Sequence, residues 1–297
     1  IFSDVNGEYI GFDEHVHHAR GRLQYANFSG WDVYRCQVQL IAMLFPKVGS
    51  DIAQSMVADA EQGGGVPGWS TANAEGGSMV GDSSDIILAS IYAFGGQEFD
   101  TKAAFKAMLR GASDPTTHSR WNAERTNLAE YLQRGYLVEN PDNPYGAASI
   151  TLEYANADFA ISKFAEAMGD TATAQTFLKR SENWRKIFDP ETRYIRPRDR
   201  EGNFLPDFNP GKGVGFVEGN SAQYTWMIPY NLSGVIAAVG GPDEANARLD
   251  AYFSQYGTWR GGPYFLIENE PSFGDPWVYN WTGRPWRVQE IVRKTIL

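Results

Sequence analysis

The sequence predicts an all-α fold. Three observations carry that expectation. Apolar residues recur at steps of three and four along most of the chain, Gly or Pro closes nearly every such stretch, and no strand–helix alternation of the kind that builds a parallel sheet occurs. The most regular stripe is Tyr154, Ala157, Ile161, Phe164 and Met168, stopped by Gly169. Asp170 then offers a capping carboxylate to a second stripe of Ala174, Phe177, Ser181, Trp184 and Phe188, so the pair is expected to form an αα-hairpin.

The other helices follow the same rule in chain order. Val38–Leu44 stops before Pro46, Ile52–Glu61 ends at Gly63-Gly64-Gly65, and Ile86–Phe94 ends at Gly95-Gly96. Thr101–Leu109 ends at Gly111 and Glu124–Leu132 at Gly135. Ala222–Val239 is expected to break near Pro229 and to end at Gly240-Gly241-Pro242; Glu244–Phe253 and Pro285–Ile296 complete the set. Between them lie long polar or Gly-rich loops: Gly63–Gly81, Asp114–Trp121, Glu139–Ser149, Tyr194–Gly219 and Tyr256–Trp281. Loops of that length in a compact domain usually carry function, which suggests a site at one end of a helical toroid. Tyr194–Arg198 and Phe204–Phe208 are expected to pair as a hairpin across Glu201-Gly202-Asn203. Residues 1–30 are poor in helix signal, and no composition shift marks a domain boundary.

Composition narrows the function. The 297 residues suffice for a sizeable core, and no apolar run reaches the roughly 18 residues of a membrane span. Ile1 opens the chain in place of Met, so any leader is expected upstream. The net charge is −10 and the basic residues form no run, which excludes the basic stripe of a nucleic-acid binder. Cys36 has no partner for an internal disulfide and lies in an apolar stretch, where it is expected to be a small buried hydrophobe. N-glycosylation sequons stand at Asn27, Asn231 and Asn280, with meaning only in a eukaryotic secretory host. Aromatics make up 14%, including nine Trp and fifteen Tyr. Trp and Tyr stack on the C–H faces of sugars while carboxylates and amides bind the hydroxyls; a large aromatic core is the plainer explanation.

Several residues could carry chemistry. Glu218 stands in Phe216-Val-Glu-Gly-Asn-Ser-Ala-Gln-Tyr-Thr-Trp226 before an apolar helix. Flanked by Phe216, Tyr224 and Trp226 it is expected to be partly desolvated, which raises a carboxyl pKa and suits a general acid; alternatively it caps the helix. Asn269 and Glu270, in Glu268-Asn-Glu-Pro271, offer hard oxygen donors that suit Ca2+, or else form a solvated acidic turn. No EF-hand pattern accompanies them. His15, His17 and His18 lack the remaining ligands of a zinc set and read as surface histidines. Asp82 and Asp85 read as caps of the helix they open, and Glu153 and Asp158, five apart, do not share a helix face. Serine-hydrolase, zinc-protease, Walker and Rossmann patterns are absent.

Nine segments, in order, resemble the α-mannosidases of glycoside hydrolase family 92. They are Phe28-Ser-Gly-Trp31-Asp32-Val-Tyr34-Arg35, Val66-Pro67-Gly-Trp69-Ser, Met79-Val-Gly81-Asp82, Thr151-Leu-Glu153-Tyr154-Ala-Asn-Ala-Asp158, Arg196-Pro197, Glu218-Gly219-Asn220 through Gln223-Tyr224-Thr225-Trp226, Asn269-Glu270-Pro271-Ser272, Tyr279-Asn280, and Gly283-Arg-Pro285-Trp286 to Gln289 with Val292-Arg293. The resemblance implies an (α/α)6 toroid, incomplete in this chain and preceded by a β-sandwich domain, with residues 1–30 as the lead-in. It implies exo-acting, inverting hydrolysis of α-mannosides on mannan or N-glycan-type substrates by a secreted, periplasmic or cell-surface enzyme. One carboxylic acid protonates the leaving oxygen while a carboxylate activates water. By motif position Glu218 matches the acid. Asn269 and Glu270 match the loop that helps build a Ca2+ site, and Trp31, Asp32 and Arg35 match a substrate-lining segment. Trp69, Asp82, Glu153 and Trp226, in the other matching segments, are the further substrate-binding candidates.

Two departures stand out. Ile267-Glu268 occupies the place where the family usually has His-Gly, which puts linkage preference in doubt. The family's base lies in a later G-N-D-D-x-G-x-M-S-x-W motif that does not occur here, so the chain is expected to be part of a longer enzyme and inactive alone. Two other readings remain open: a non-catalytic carbohydrate-binding helical toroid, and another toroid glycosidase such as a glucosidase.

Overall fold

The structure, a computed structural model, describes residues 1–140, 142–256 and 262–297. The chain divides into two compact units, Ile1–Gln133 with Glu153–Glu182, and Arg134–Leu152 with Asn183–Leu297. Helices dominate both. Strands among the described residues are confined to four two-stranded antiparallel hairpins, and no described helix is long and apolar enough to cross a membrane.

In the first unit the chain opens with β1 (Glu8–Ile10) and β2 (Val16–His18), so residues 1–30 hold a hairpin that the sparse helix signal did not reveal. The histidines behave as surface residues: His15 and His18 are exposed, and His17 stacks on Tyr9 and bonds Asp13 at 2.9 Å. Then come α1 (Gly30–Val33), α2 (Gln37–Leu44) and α3 (Pro46–Gly63). Pro46 sits in the first turn of α3, where its missing N–H costs nothing. A Cβ on Gly49 would lie 3.1 Å from the Ala42 Cα, a measure of how closely α2 and α3 approach. The hairpin β3 (Ser70–Thr71) and β4 (Ala74–Glu75) leads to α4 (Ser83–Ala93) and α5 (Thr101–Gly111). A third hairpin, β5 (His118–Ser119) with β6 (Asn122–Ala123), precedes α6 (Leu128–Arg134). The long α7 (Ala147–Ala167) and α8 (Thr171–Ser181) follow. Asp100 and Asp170 cap α5 and α8 by accepting from Ala103 N and Thr173 N. Met56, Leu88, Ile91, Met108, Ile161 and Phe164 form the centre of this unit's core.

Three expectations shift. α6 begins at Leu128 rather than Glu124, because Glu124 is half-buried and accepts from Val66 N at 3.1 Å instead of joining the helix. α7 begins at Ala147, a full two turns before Tyr154. Buried Glu139, in the second unit, accepts from the amides of Tyr145 (2.9 Å), Gly146 (3.1 Å) and Ala147 (2.8 Å) and so supplies that early start. Cys36 is exposed, not buried. It precedes α2, whose inner face is Val38 and Ala42 while Leu40, Met43 and Leu44 face outward.

In the second unit the stripe expected to continue through Phe188 breaks at Ser181. A 3-10 turn over Glu182–Lys186 carries Trp184 inward, and β7 (Phe188–Asp189) pairs with β8 (Tyr194–Ile195). The hairpin therefore uses Tyr194 with a different partner, because Asp189 organises the turn by accepting from Glu191 N and Thr192 Oγ1. Only a single bridge, Arg198 with Phe204, survives of the expected pairing. The helix foreseen over Ala222–Val239 is α9 (Ser221–Tyr224) and α10 (Leu232–Val239), interrupted at Pro229 as expected. α11 (Pro242–Tyr252) and α12 (Pro285–Ile296) close the unit. Its core gathers Trp184, Ile195, Phe216, Tyr224, Trp226, Ile228, Leu249, Phe265 and Tyr279.

Candidate active site

In the first unit the structure brings several sequence-flagged segments together. Ser29 bridges to Trp69, Phe28 N donates to Ser70 Oγ at 3.2 Å, and Ser83 Oγ donates to Gly68 O at 3.2 Å. Gly30 makes the junction possible: a Cβ there would lie 2.1 Å from the Gly68 carbonyl oxygen and 2.3 Å from Ser83 Oγ. Gly30→Ala is therefore expected to lower the midpoint of denaturant unfolding, by about 1–3 kcal/mol of stability, because backbone has to yield to the methyl group.

Glu153 is the hub of that cluster. It is 1% exposed and accepts from Tyr34 OH at 2.7 Å and from an Arg35 guanidinium nitrogen at 2.8 Å. Arg35 lies over the rings of Tyr34 and Trp31 and donates Nε to Trp31 O. The buried Trp31 Nε1 has no hydrogen-bond partner. Gly81, at φ +91, passes so close that a Cβ would meet that of Glu153 at 2.4 Å. Trp31, Arg35, Trp69 and Glu153 thus share one neighbourhood, with half-buried Asp32 beside them on α1. The neighbourhood holds flat rings, a guanidinium fixed on Glu153 and a carboxylate, with Trp31 and Glu153 themselves buried.

Asp82 and Asp85 have a different task from helix capping. Asp82 occupies the N-cap position of α4 but makes no capping bond. Its buried carboxylate takes Arg125 Nε at 2.6 Å and Ser84 Oγ at 2.6 Å. Arg125 also reaches Asp85 at 2.9 Å and Asp158 at 2.8 Å, and Arg180 pairs with Asp158 as well. Asp82, a substrate-binding candidate from sequence, has its carboxylate wholly occupied by this ionic cluster. Asp158 faces Arg125, Tyr131 and Arg180 while Glu153 faces Tyr34 and Arg35, so the two acids do point away from each other. Arg125 carried no sequence signal, since an arginine in a loop is ordinary until its burial is known.

In the second unit Glu218 follows a well-anchored segment. Val217 N donates to Ser149 Oγ at 2.9 Å, Tyr224 OH donates to Val217 O at 2.6 Å, and Gly146 leaves room for Val217. A depression of roughly 480 Å³, lined by Tyr145, Gly146, Gly213, Val214, Phe216 and Val217 among others, lies along that segment. Glu218 itself has φ +48. That left-handed conformation disfavours a glutamate, and such residues concentrate at functional sites. The capping alternative is settled: Asn220 is the N-cap of α9 and forms a capping box with Gln223. The expected enclosure by aromatic rings is not found. Phe216, Tyr224 and Trp226 turn into the core, and Glu218 is exposed. Trp226 is 3% exposed and lines a separate cavity of roughly 460 Å³ with Tyr194, Arg248, Tyr252 and Tyr264.

Asn269 meets Glu218 directly, its Nδ2 donating to the Glu218 carbonyl oxygen. Asn269 is 2% exposed, which rules out a solvated turn for it, and its Oδ1 has no hydrogen-bond partner. Glu270, half-buried, follows at once in the 3-10 turn Glu270–Ser272. Below the turn Tyr252 OH donates to Asp275 at 2.6 Å and lies 3.2 Å from Ser272 Oγ. Burial pushes the Asp275 carboxyl well above the usual range, while the tyrosine bond opposes. An orphaned buried amide oxygen, with a carboxylate on the next residue in sequence, fits a hard, oxygen-seeking cation such as Ca2+. No cluster of three or more His, Cys, Asp or Glu suited to a metal occurs among the described residues. Any such ion would therefore draw on amide and backbone oxygens as well.

The fold and these two neighbourhoods define a helical glycosidase domain. The profile of the glycosyl hydrolase family 92 catalytic domain matches residues 1–297, and the chain belongs to that family. It is similar to a family GH92 alpha-mannosidase from Bacteroides thetaiotaomicron, with TM-score 0.88 and 30% identity, over 99% of this chain and 38% of that one. It is also similar to a family GH92 inverting mannosidase from Bacteroides thetaiotaomicron VPI-5482, with TM-score 0.87 and 27% identity, over 98% of this chain and 41% of that one. An Arthroderma benhamiae protein named as an uncharacterized secreted glycosidase is 23% identical over 244 residues, 71% of this chain and 30% of the relative. The chain thus spans well under half the length of these relatives. The structural likeness bears out the all-α, helical-toroid fold class expected from the sequence.

Proposed function

We propose that the protein to which this chain belongs is an exo-acting, inverting α-mannosidase that requires Ca2+, secreted or displayed at the cell surface, acting on mannan or N-glycan-type substrates. Glu218 is the general acid that protonates the leaving oxygen, and a carboxylate elsewhere in the enzyme activates water. The observation that carries this reading is the junction of Glu218 with Asn269: the proposed acid and the proposed metal-binding amide share a hydrogen bond, and the amide oxygen is left without a partner.

Asn269 Oδ1 and the Glu270 carboxylate would hold the calcium ion. When bound, the ion supplies positive charge that orients and polarises sugar hydroxyls. Asn269 keeps its donor face on Glu218 O and so fixes where the acid's backbone lies. In the first unit, half-buried Trp69 and Asp32 would offer a ring face and a carboxylate to a sugar. Trp226 lies within the core of the second unit.

The test is stereochemical. Proton NMR of the intact enzyme acting on an α-linked mannobiose is expected to show β-mannose as the first product, with activity lost in EDTA and restored by Ca2+. First-formed α-mannose, undiminished activity in EDTA, or a preference for α-glucosides would each reject this reading.

A further inference from the structure

We propose that Asn220 and Gln223 are positioning residues that staple the segment from Gly262 to Glu270 onto the Glu218 turn, so that the acid and the Asn269–Glu270 pair move as one body. The proposal rests on the assignment of Glu218, Asn269 and Glu270 given above. Both side chains are buried and serve two segments at once. Gln223 Oε1 accepts from Asn220 N at 3.0 Å, while its Nε2 donates to Tyr264 O at 3.1 Å. Asn220 Oδ1 accepts from Gln223 N at 3.3 Å, while its Nδ2 donates to Gly262 O at 3.0 Å. The acceptor half of each amide caps α9 and the donor half holds the other segment. With Asn269 Nδ2 on Glu218 O, three side-chain amides tie Glu218–Gln223 to residues 262–269.

A helix cap alone does not require this chemistry. Asp and Ser cap as well as Asn, and Glu completes a capping box as well as Gln. Only the amides add a donor that reaches a carbonyl on a neighbouring segment. The far end of that segment is fixed independently by Tyr252 on Ser272 and Asp275. The near end is held on its other side by Gly262 N on Gly211 O and Phe265 N on Tyr252 O, and Asn220 and Gln223 join it to the Glu218 turn. The left-handed turn at Glu218 is itself one tied point, two residues before Asn220, and a small displacement there would carry the acid off the sugar oxygen.

The experiment exploits the two halves of each amide. In the intact enzyme, Asn220→Asp and Gln223→Glu retain the acceptors of the capping box and delete both donors; Asn220→Ser repeats the first deletion without adding charge. The readouts are hydrogen exchange of the amides of residues 262–272, the Kd for Ca2+ titrated alone, and kcat and KM on mannobiose. The double variant is expected to melt lower because it buries two carboxylates, so the uncharged Asn220→Ser is read beside it and exchange outside residues 262–272 serves as the control. Its exchange in that segment should quicken about tenfold or more, and its Ca2+ Kd should rise about 10-fold to 100-fold. Its kcat should fall by a similar factor with KM changed less. Parental exchange in the double variant overturns the staple. Faster exchange with parental Ca2+ affinity and kcat overturns its positioning role. Exchange does not depend on turnover, so an error in assigning Glu218 as the acid shows separately, in the Glu218→Gln rate.

Discussion

Glu218→Gln in the intact enzyme is expected to cut kcat on a mannobiose by about 10²–10⁴-fold, the usual contribution of a positioned proton donor. The size of the loss should depend on the leaving group. A sugar alkoxide needs its proton during bond cleavage, whereas an activated aryl leaving group does not, so aryl mannosides should lose far less. A purely structural role for Glu218 predicts the same loss on both substrates, which makes the ratio of the two losses the deciding measurement. Gln is close in size to Glu and the N-cap of α9 is Asn220, so the substitution should leave the helix intact. Position 218 already sits at φ +48 with glutamate, and Gln adds no new backbone demand there.

Arg125→Met is expected to destabilise the first unit by about 3–5 kcal/mol, comparable to much of a domain's net stability. Around Arg125 lie Asp82, Asp85 and Asp158, with Arg180 as a second cation. Three carboxylates facing two guanidiniums would leave one negative charge over. Burial pushes the Asp85 carboxyl well above the usual range and the Asp82 charge adds to this, so its charged form is disfavoured there. Burial also pushes Asp82 upward. The Arg125 guanidinium and hydrogen bonds from Asp85 and Ser84 outweigh it and hold Asp82 below the ordinary value. Asp85→Asn should therefore be tolerated, because its carbonyl can still accept from Arg125, whereas Asp82→Asn should not. The pH dependence follows. A buried acid with a raised folded-state pKa favours folding below its unfolded value of 3.8, and that contribution is lost as pH rises through the folded value. The Asp85→Asn variant should show a smaller decline of stability with rising pH than the parent in denaturant melts across that range. An unchanged slope would assign the charge imbalance to another group, with Glu124 the next candidate because burial raises it too.

Much of this was legible in the sequence because it depends on local pattern. The stripe from Tyr154 to Met168, the Asp170 cap and the break at Pro229 each rest on spacing within one or two turns, and each stands in the structure. Errors came where a distant group overrode a local preference. Glu139 extends α7 by two turns from a loop, and Glu124 leaves α6 to accept from Val66 N. Phe188 keeps its helical spacing from Trp184 yet pairs in a hairpin, because Asp189 turns the chain. The site divides in the same way. Asn220 and Gln223 were visible as residues of a matching segment, and their capping-box spacing was a usable signal, but their second bonds to Gly262 and Tyr264 were not.

By itself the sequence determined the all-α class and the family, and it marked Glu218, Asn269 and Glu270 as the residues to watch. Those follow from periodicity and ordered motifs, both one-dimensional properties. Only the tertiary structure decided that Glu218 is exposed on a left-handed turn, that Asn269 grips its carbonyl, and that Asp82 serves Arg125 instead of capping α4. Burial and hydrogen-bond satisfaction arise between residues far apart in the chain, and the free energy of an amide or a carboxylate depends on those partners rather than on its sequence neighbours.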